Sequence, residues 1–288
     1  VHLVAQTPPY LQMSWVTALL IAAGCAGASA LAHLVRRRRW AVVSHALGET
    51  AIVVGLFGMW QIVRIFAVTK VAGGMSNGEA VWRFERALRL PSETWLQRTV
   101  LPHPMLVQAS NLYYLYLHFT GITVFLCWLF LRHRDAYARW RTALVLVTAA
   151  CLAVQFVPVA PPRFLVGYGF VDTAVQYGES VYGQMNTGIA DQLSAMPSVH
   201  FAWAALIGLA VVSVSTSRLR WLALAHPALT LYAIVVTANH YWLDAVAAAA
   251  LLGLVLALQA AFARGWLRFR LGQRADVAPV RQPETVEA

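Results

Sequence analysis

Ala195-Met196-Pro197-Ser198-Val199-His200 and Asn239-His240-Tyr241-Trp242-Leu243-Asp244 bracket two apolar runs, and the distance between them decides how the chain is built. His200 and His240 lie 40 positions apart, which is roughly 60 Å of helix, twice the hydrocarbon thickness of a bilayer. The chain between them therefore crosses a membrane twice and returns both histidines to one face. His240 and Asp244 stand at i and i+4, a spacing that on a helix puts them on one side. There the carboxylate can hold one imidazole nitrogen, which is how a histidine nucleophile is oriented.

Composition agrees with a bundle in lipid. Of the 288 residues 59% are hydrophobic and 12% charged, and the mean hydropathy is +0.60, far from a soluble domain and typical of a polytopic membrane protein. The net charge of +10 is carried by arginines clustered between apolar runs, as topology signals are, and this excludes a nucleic-acid-binding surface. Cys25, Cys127 and Cys151 sit inside apolar runs with no paired spacing, so they are expected to be small buried hydrophobes.

The spacing predicts an all-α polytopic transmembrane bundle of about seven spans, near Leu11–Val35, Ser44–Val68, Leu106–Leu131, Thr142–Val159, Met196–Ser217, Trp221–Ala238 and Tyr241–Ala263. The first run is followed, not preceded, by Arg36 to Arg39, the reverse of a secretory signal, so it reads as a span whose N-terminus is outside. With that orientation 15 of the 22 basic residues fall on the cytosolic side. The expected location is the plasma membrane, with a cytosolic C-terminus and both histidines extracytoplasmic. Three regions are expected: 1–105, two spans and surface helices; 106–270, a catalytic helix core; and 271–288, a polar and disordered tail.

Between the second and third spans, Val71 to Pro104 reads as short amphipathic helices on the outer surface. Ser76-Asn77-Gly78-Glu79 has a capping-box pattern, followed by Val81, Phe84 and Leu88 at helical spacing. Pro91-Ser92-Glu93 restarts a second helix carrying Trp95 and Leu96. Such helices can lie among lipid headgroups and shape access to a lipid site, or simply pack over the bundle.

Polar residues within apolar runs mark sites or buried pairs. Arg64 either binds an anionic group or snorkels to the outer headgroups. Asn111, Tyr114 and His118 open the third span and are candidates for a substrate headgroup, with a satisfied buried histidine the alternative for His118. Glu49 is expected to have a structural partner, and His226 a structural role. Pro158-Val159-Ala160-Pro161-Pro162-Arg163-Phe164 forms a rigid turn that presents Arg163 on the face shared by the histidines, where a guanidinium can bind phosphate oxygens. The loop from Gly167 to Leu193 can cover that site.

These residues resemble the type-2 phosphatidic acid phosphatase superfamily of integral-membrane phosphoesterases. The likeness rests on Ala160-Pro161-Pro162-Arg163 and the two histidine motifs, spans roughly residues 106–265, and is most similar to bacterial proteins related to inositol phosphorylceramide synthase. The resemblance implies His240 as the nucleophile that forms a phosphohistidine, Asp244 as its orienting carboxylate and His200 as the acid for the leaving oxygen. Arg163 and Ser198, with Arg64 as a further candidate, would bind the phosphoryl oxygens. No metal or cofactor is implied. The expected partners are a membrane lipid substrate and an acceptor that is a lipid alcohol, an inositol-like polyol or water.

Two cations usual in the phosphatase members are missing, their places held by Phe156 and Ile234. Unless Arg64 or Lys70 also reaches in, Arg163 alone neutralises a phosphodiester monoanion better than a phosphomonoester dianion, which favours a phospholipid donor over a phosphatidate or polyprenyl phosphate. A transporter using Arg64 and Glu49 is the reading from another class, but no inverted repeat supports it. The orientation has a direct test. Cysteines placed between Gly167 and Leu193 should react with an impermeant reagent in intact cells and a cysteine near Arg134 should not; the reverse labelling would overturn the topology.

Overall fold

The computed structural model describes residues 13–35, 38–67, 72–177 and 192–276. In chain order its helices are α1 (Trp15–Leu34), α2 (Arg38–Ala67), α3 (Gly74–Ala87), α4 (Glu93–Val100), α5 (Pro104–Arg132), α6 (Arg134–Val154), the single turn α7 (Thr173–Gln176), α8 (Val199–Val214), α9 (Ala225–Val236) and α10 (Trp242–Asp276). Among the described residues there is no strand, only an isolated bridge between Val159 and Ser194. Counting α9 together with the 3-10 segment Arg218–Leu224 that leads into it, six helices are long and apolar enough to span a membrane, and α8 is a shorter apolar one. This is the all-α bundle expected of a multi-pass membrane protein. Its spans turn side chains such as Leu20, Leu131 and Leu258 outward, as a surface facing hydrocarbon requires.

The main core lies between α5, α6, α8 and α10, where Leu129, Trp140, Val147, Leu206 and Leu252 are buried together. Helices α1 and α2 form a hairpin joined by reciprocal hydrogen bonds, Ser29 Oγ to the Ser44 carbonyl at 2.7 Å and Ser44 Oγ to the Ser29 carbonyl at 2.9 Å. Glu49 has the partner expected of it: Arg141 on α6 forms an ion pair with it, tying the hairpin to the core. His226 is likewise held, its Nδ1 2.7 Å from the Tyr113 hydroxyl. Of the cysteines only Cys151 is buried; Cys127 is exposed on its span and Cys25 is half-buried. Helix α10 runs past residue 270 to Asp276, into the region expected to begin a tail.

Two short helices, α3 and α4, stand where surface helices were expected, with two corrections. Helix α3 starts at Gly74 with Gly73 as its N-cap in the left-handed region (φ 85°), so Ser76 is not a cap. Its hydroxyl donates instead to the Gly73 carbonyl, and Asn77 donates to the Pro158 carbonyl. The buried face also differs: it carries Gly74, Gly78 and Glu85, while Phe84 and Leu88 are exposed. The reason is contact with the Arg163 turn. A Cβ on Gly78 would lie 2.7 Å from the Ala160 carbonyl oxygen and 3.0 Å from the Tyr241 hydroxyl, so only glycine lets the helix approach. Helix α4 begins as expected, with the Ser92 side chain accepting from the Trp95 amide.

Glu85 and Glu93 are both fully buried where α3 and α4 meet the first turn of α10. Glu85 Oε1 accepts from the Leu243 amide at 2.7 Å, one of the unpaired donors of a helix start. Arg86 bonds Glu93 at 3.0 Å. Burial and the adjacent Glu93 carboxyl push the Glu85 pKa up from 4.5 to about 9. A raised pKa means that the folded state holds a proton the unfolded chain has released. The contribution to stability is therefore fully present below pH 4.5 and lost as pH rises through about 9. Melting of the detergent-solubilised protein should fall between pH 5 and 9.5, and Glu85→Gln should flatten that slope; an unchanged slope would remove Glu85 as its source.

Candidate active site

Three segments converge at the end of the bundle where α8 begins and α9 gives way to α10. The first is Pro158 to Arg163. Its backbone pairs with the second, Leu193 to Ser198, through Val159 N to Leu193 O at 2.7 Å and Ala195 N to Val159 O at 3.1 Å. It also meets the third, Thr237 to Tyr241, through Arg163 N to Ala238 O at 2.9 Å. Ala238 takes the left-handed conformation (φ 53°) that turns the chain sharply between two spans. The Tyr241 hydroxyl donates to the Ala160 carbonyl at 2.9 Å.

His240 sits on that turn, just ahead of α10, so it and Asp244 are not two residues of one helix face. Asp244 lies in the first turn of α10 and its Oδ2 reaches back to the Tyr241 amide at 2.9 Å, in the manner of a capping carboxylate. The same oxygen lies 3.1 Å from His240 Nδ1, which is also 2.7 Å from the Ala195 carbonyl. Two acceptors at Nδ1 fix the proton there and leave Nε2 with its lone pair. Burial, with the charge of Arg163 added and opposed by the Ala195 bond, pushes the His240 pKa down to about 3, so the ring is neutral near pH 7.

Arg163 is 4% exposed. Its Nη1 bonds Asn239 Oδ1, its Nη2 lies 3.4 Å from Gln192 Oε1, and its Nε is 3.3 Å from Asp172 Oδ2. Asn239, Gln192 and Asp172 were not picked out by the sequence as Arg163's holders, because Asn239 and Gln192 are distant in the chain and Asp172 follows two 3-10 turns that no periodicity marks. Ser198 caps α8, its Oγ accepting from the Phe201 amide at 3.3 Å, and its own amide donates to the Asp244 carbonyl at 3.1 Å. The amides of that helix start carry partial positive charge towards this end of the bundle.

His200, in the first turn of α8, has its ring 6.0 Å from that of His240. Tyr114 stacks obliquely on it at 4.3 Å, and the His118 ring stands edge to face with it, also at 4.3 Å. Tyr114 and His118 therefore join the two catalytic candidates. Asn111 lies one turn further out, accepting from the Thr173 hydroxyl at 3.1 Å. Phe156 is partly exposed and Ile234 is buried against Tyr114 and Val235, so neither missing cation is replaced at its own position. The Arg64 side chain and all of Lys70 lie outside the described residues, as does most of the loop expected to cover the site.

The arrangement offers a neutral nucleophilic nitrogen, an orienting carboxylate, a second imidazole and a guanidinium, the set that phosphoryl transfer uses. A family model described as the PAP2 superfamily matches residues 79–258. That stretch contains all three converging segments. No curated protein matches the chain, and no solved structure does.

Proposed function

The chain belongs to the PAP2 superfamily, and from that membership and the geometry at His240 we propose an integral-membrane lipid phosphotransferase or phosphoesterase that works through a phosphohistidine. The observation that supports this reading is the double hold on His240 Nδ1 by Ala195 and Asp244, which leaves Nε2 with its lone pair for phosphorus. Nε2 attacks phosphorus, the bond from phosphorus to the leaving oxygen breaks, and His200 gives that oxygen a proton. In the second half His200 takes the proton of the acceptor hydroxyl, the new phosphorus–oxygen bond forms and the bond to Nε2 breaks. Arg163, the Ser198 hydroxyl and the α8 amides bind the non-reacting oxygens.

The charge at the clamp favours a phospholipid-type diester as the donor. Arg163 is already opposed by Asp172, and Phe156 and Ile234 stand where further cations would be. A monoanion suits such a site, whereas the dianion of phosphatidate or a polyprenyl phosphate calls for a second positive charge. Asn111 and Tyr114 border the space for the headgroup, and the acceptor is an inositol-like polyol, a lipid alcohol or water. The site opens to the extracytoplasmic side of the plasma membrane, the side the arginine asymmetry assigns to it.

The two histidines separate by leaving group. His240→Ala should be inactive on every substrate, because no covalent intermediate can form. His200→Ala should lose about 10²–10⁴-fold on an alkyl phosphodiester and far less on an aryl one, whose acidic phenol leaves without a proton. Rates on paired aryl and alkyl substrates decide this, and equal losses on both would remove the role of His200.

A further inference from the structure

His240 has Asp244 to orient it, yet among the described residues no carboxylate pairs with His200. The side chain that stands in that place is His118. It is 2% exposed, and its Nδ1 lies 3.0 Å from the Tyr114 carbonyl one turn earlier in α5. A carbonyl only accepts, so the Nδ1 carries the hydrogen and the Nε2 bears a lone pair. That Nε2 is buried and has no hydrogen-bond partner among the described residues. A buried acceptor left unpaired is rare in a folded protein and asks for a cause. Across from it, edge to face at 4.3 Å with 79° between the planes, stands the ring of His200.

We propose that His118 is a positioning residue that acts through His200. One nitrogen of His200 exchanges a proton with the leaving or acceptor oxygen; the other, when it carries a hydrogen, donates it to His118 Nε2. The bond closes as His200 becomes an imidazolium, so His118 fixes the ring and shares its charge without taking a proton itself. Catalytic hydrogen bonds are often long or poorly aligned until the reacting complex forms, and this one is expected to tighten as His200 gains charge. The other groups facing His118 are Tyr114 and, edge-on at 6.1 Å, Tyr113, whose hydroxyl bonds His226, together with His240 beyond His200. None of these is a carboxylate that could do the same for His200.

The proposal rests on the acid and base role given to His200, and its test separates the two. His118→Leu and His118→Gln are compared on an aryl and an alkyl phosphodiester bearing the same transferred group, in the native and the His200→Ala backgrounds. His118→Leu should lower kcat on the alkyl substrate by roughly 10–100-fold, as loss of an orienting partner does, with KM little changed and the aryl substrate largely spared. His118→Gln, whose amide oxygen still accepts, should recover most of that loss. In the His200→Ala background His118→Leu should cost nothing more. Equal losses on both substrates, no recovery with Gln, or a further loss without His200 would each overturn the proposal. If His200→Ala itself fails to distinguish the substrates, the role of His200 falls first and takes the proposal with it. Should the Leu variant fail to fold, His118→Asn, too short to reach His200, replaces it with the same outcomes.

Discussion

Backbone polar groups at the membrane boundary must be satisfied by protein, and this requirement shapes the site. Three irregular segments enter the end of the bundle, and each spends its amides and carbonyls on the others. Val159 bonds Leu193 and Ala195, Arg163 bonds Ala238, and Ser198 bonds the Asp244 carbonyl. Unpaired, such groups in an apolar setting would each cost about 1–3 kcal/mol. Paired, they lock the loops into one arrangement, and the reactive side chains inherit its precision. The Ala195 carbonyl that holds His240 lies on the same segment that leads to Ser198 and His200.

The surface helices extend this arrangement outward. Helix α3 meets the Arg163 turn through Gly78, while Glu85 accepts from the Leu243 amide at the start of α10, the turn that carries Asp244. A residue pattern that looks peripheral in the chain is therefore part of the site's support. The same helices leave Phe84, Leu88 and Trp95 exposed beside it, a surface suited to lipid headgroups.

Much of this was legible in the sequence because its signals are strong and local. The apolar runs gave the spans, and the 40 positions between His200 and His240 predicted their return to one end, where the rings are now 6.0 Å apart. The Arg163 turn was readable from its prolines. Partners reached through irregular backbone were not: Asp172 and Gln192 hold Arg163 from segments that no periodicity marks. The start of α3 was misplaced because Ser76-Asn77-Gly78-Glu79 matches a cap, whereas the decisive residue is Gly73, free to adopt a positive φ. The i, i+4 spacing of His240 and Asp244 found the right pair for a partly wrong reason. Their contact is made by a carboxylate reaching back over a helix start, not by a shared helix face.

Chemistry at this site turns on whether His240 itself becomes bonded to phosphorus. Direct transfer to the acceptor, with His240 serving only as a base, would use the same residues in nearly the same places. Stereochemistry at phosphorus separates the two most directly. With a phosphodiester made chiral by isotopic or sulfur substitution, two successive in-line displacements through His240 predict overall retention of configuration in the product. Inversion would mean a single displacement, and would contradict the phosphohistidine on which the account rests.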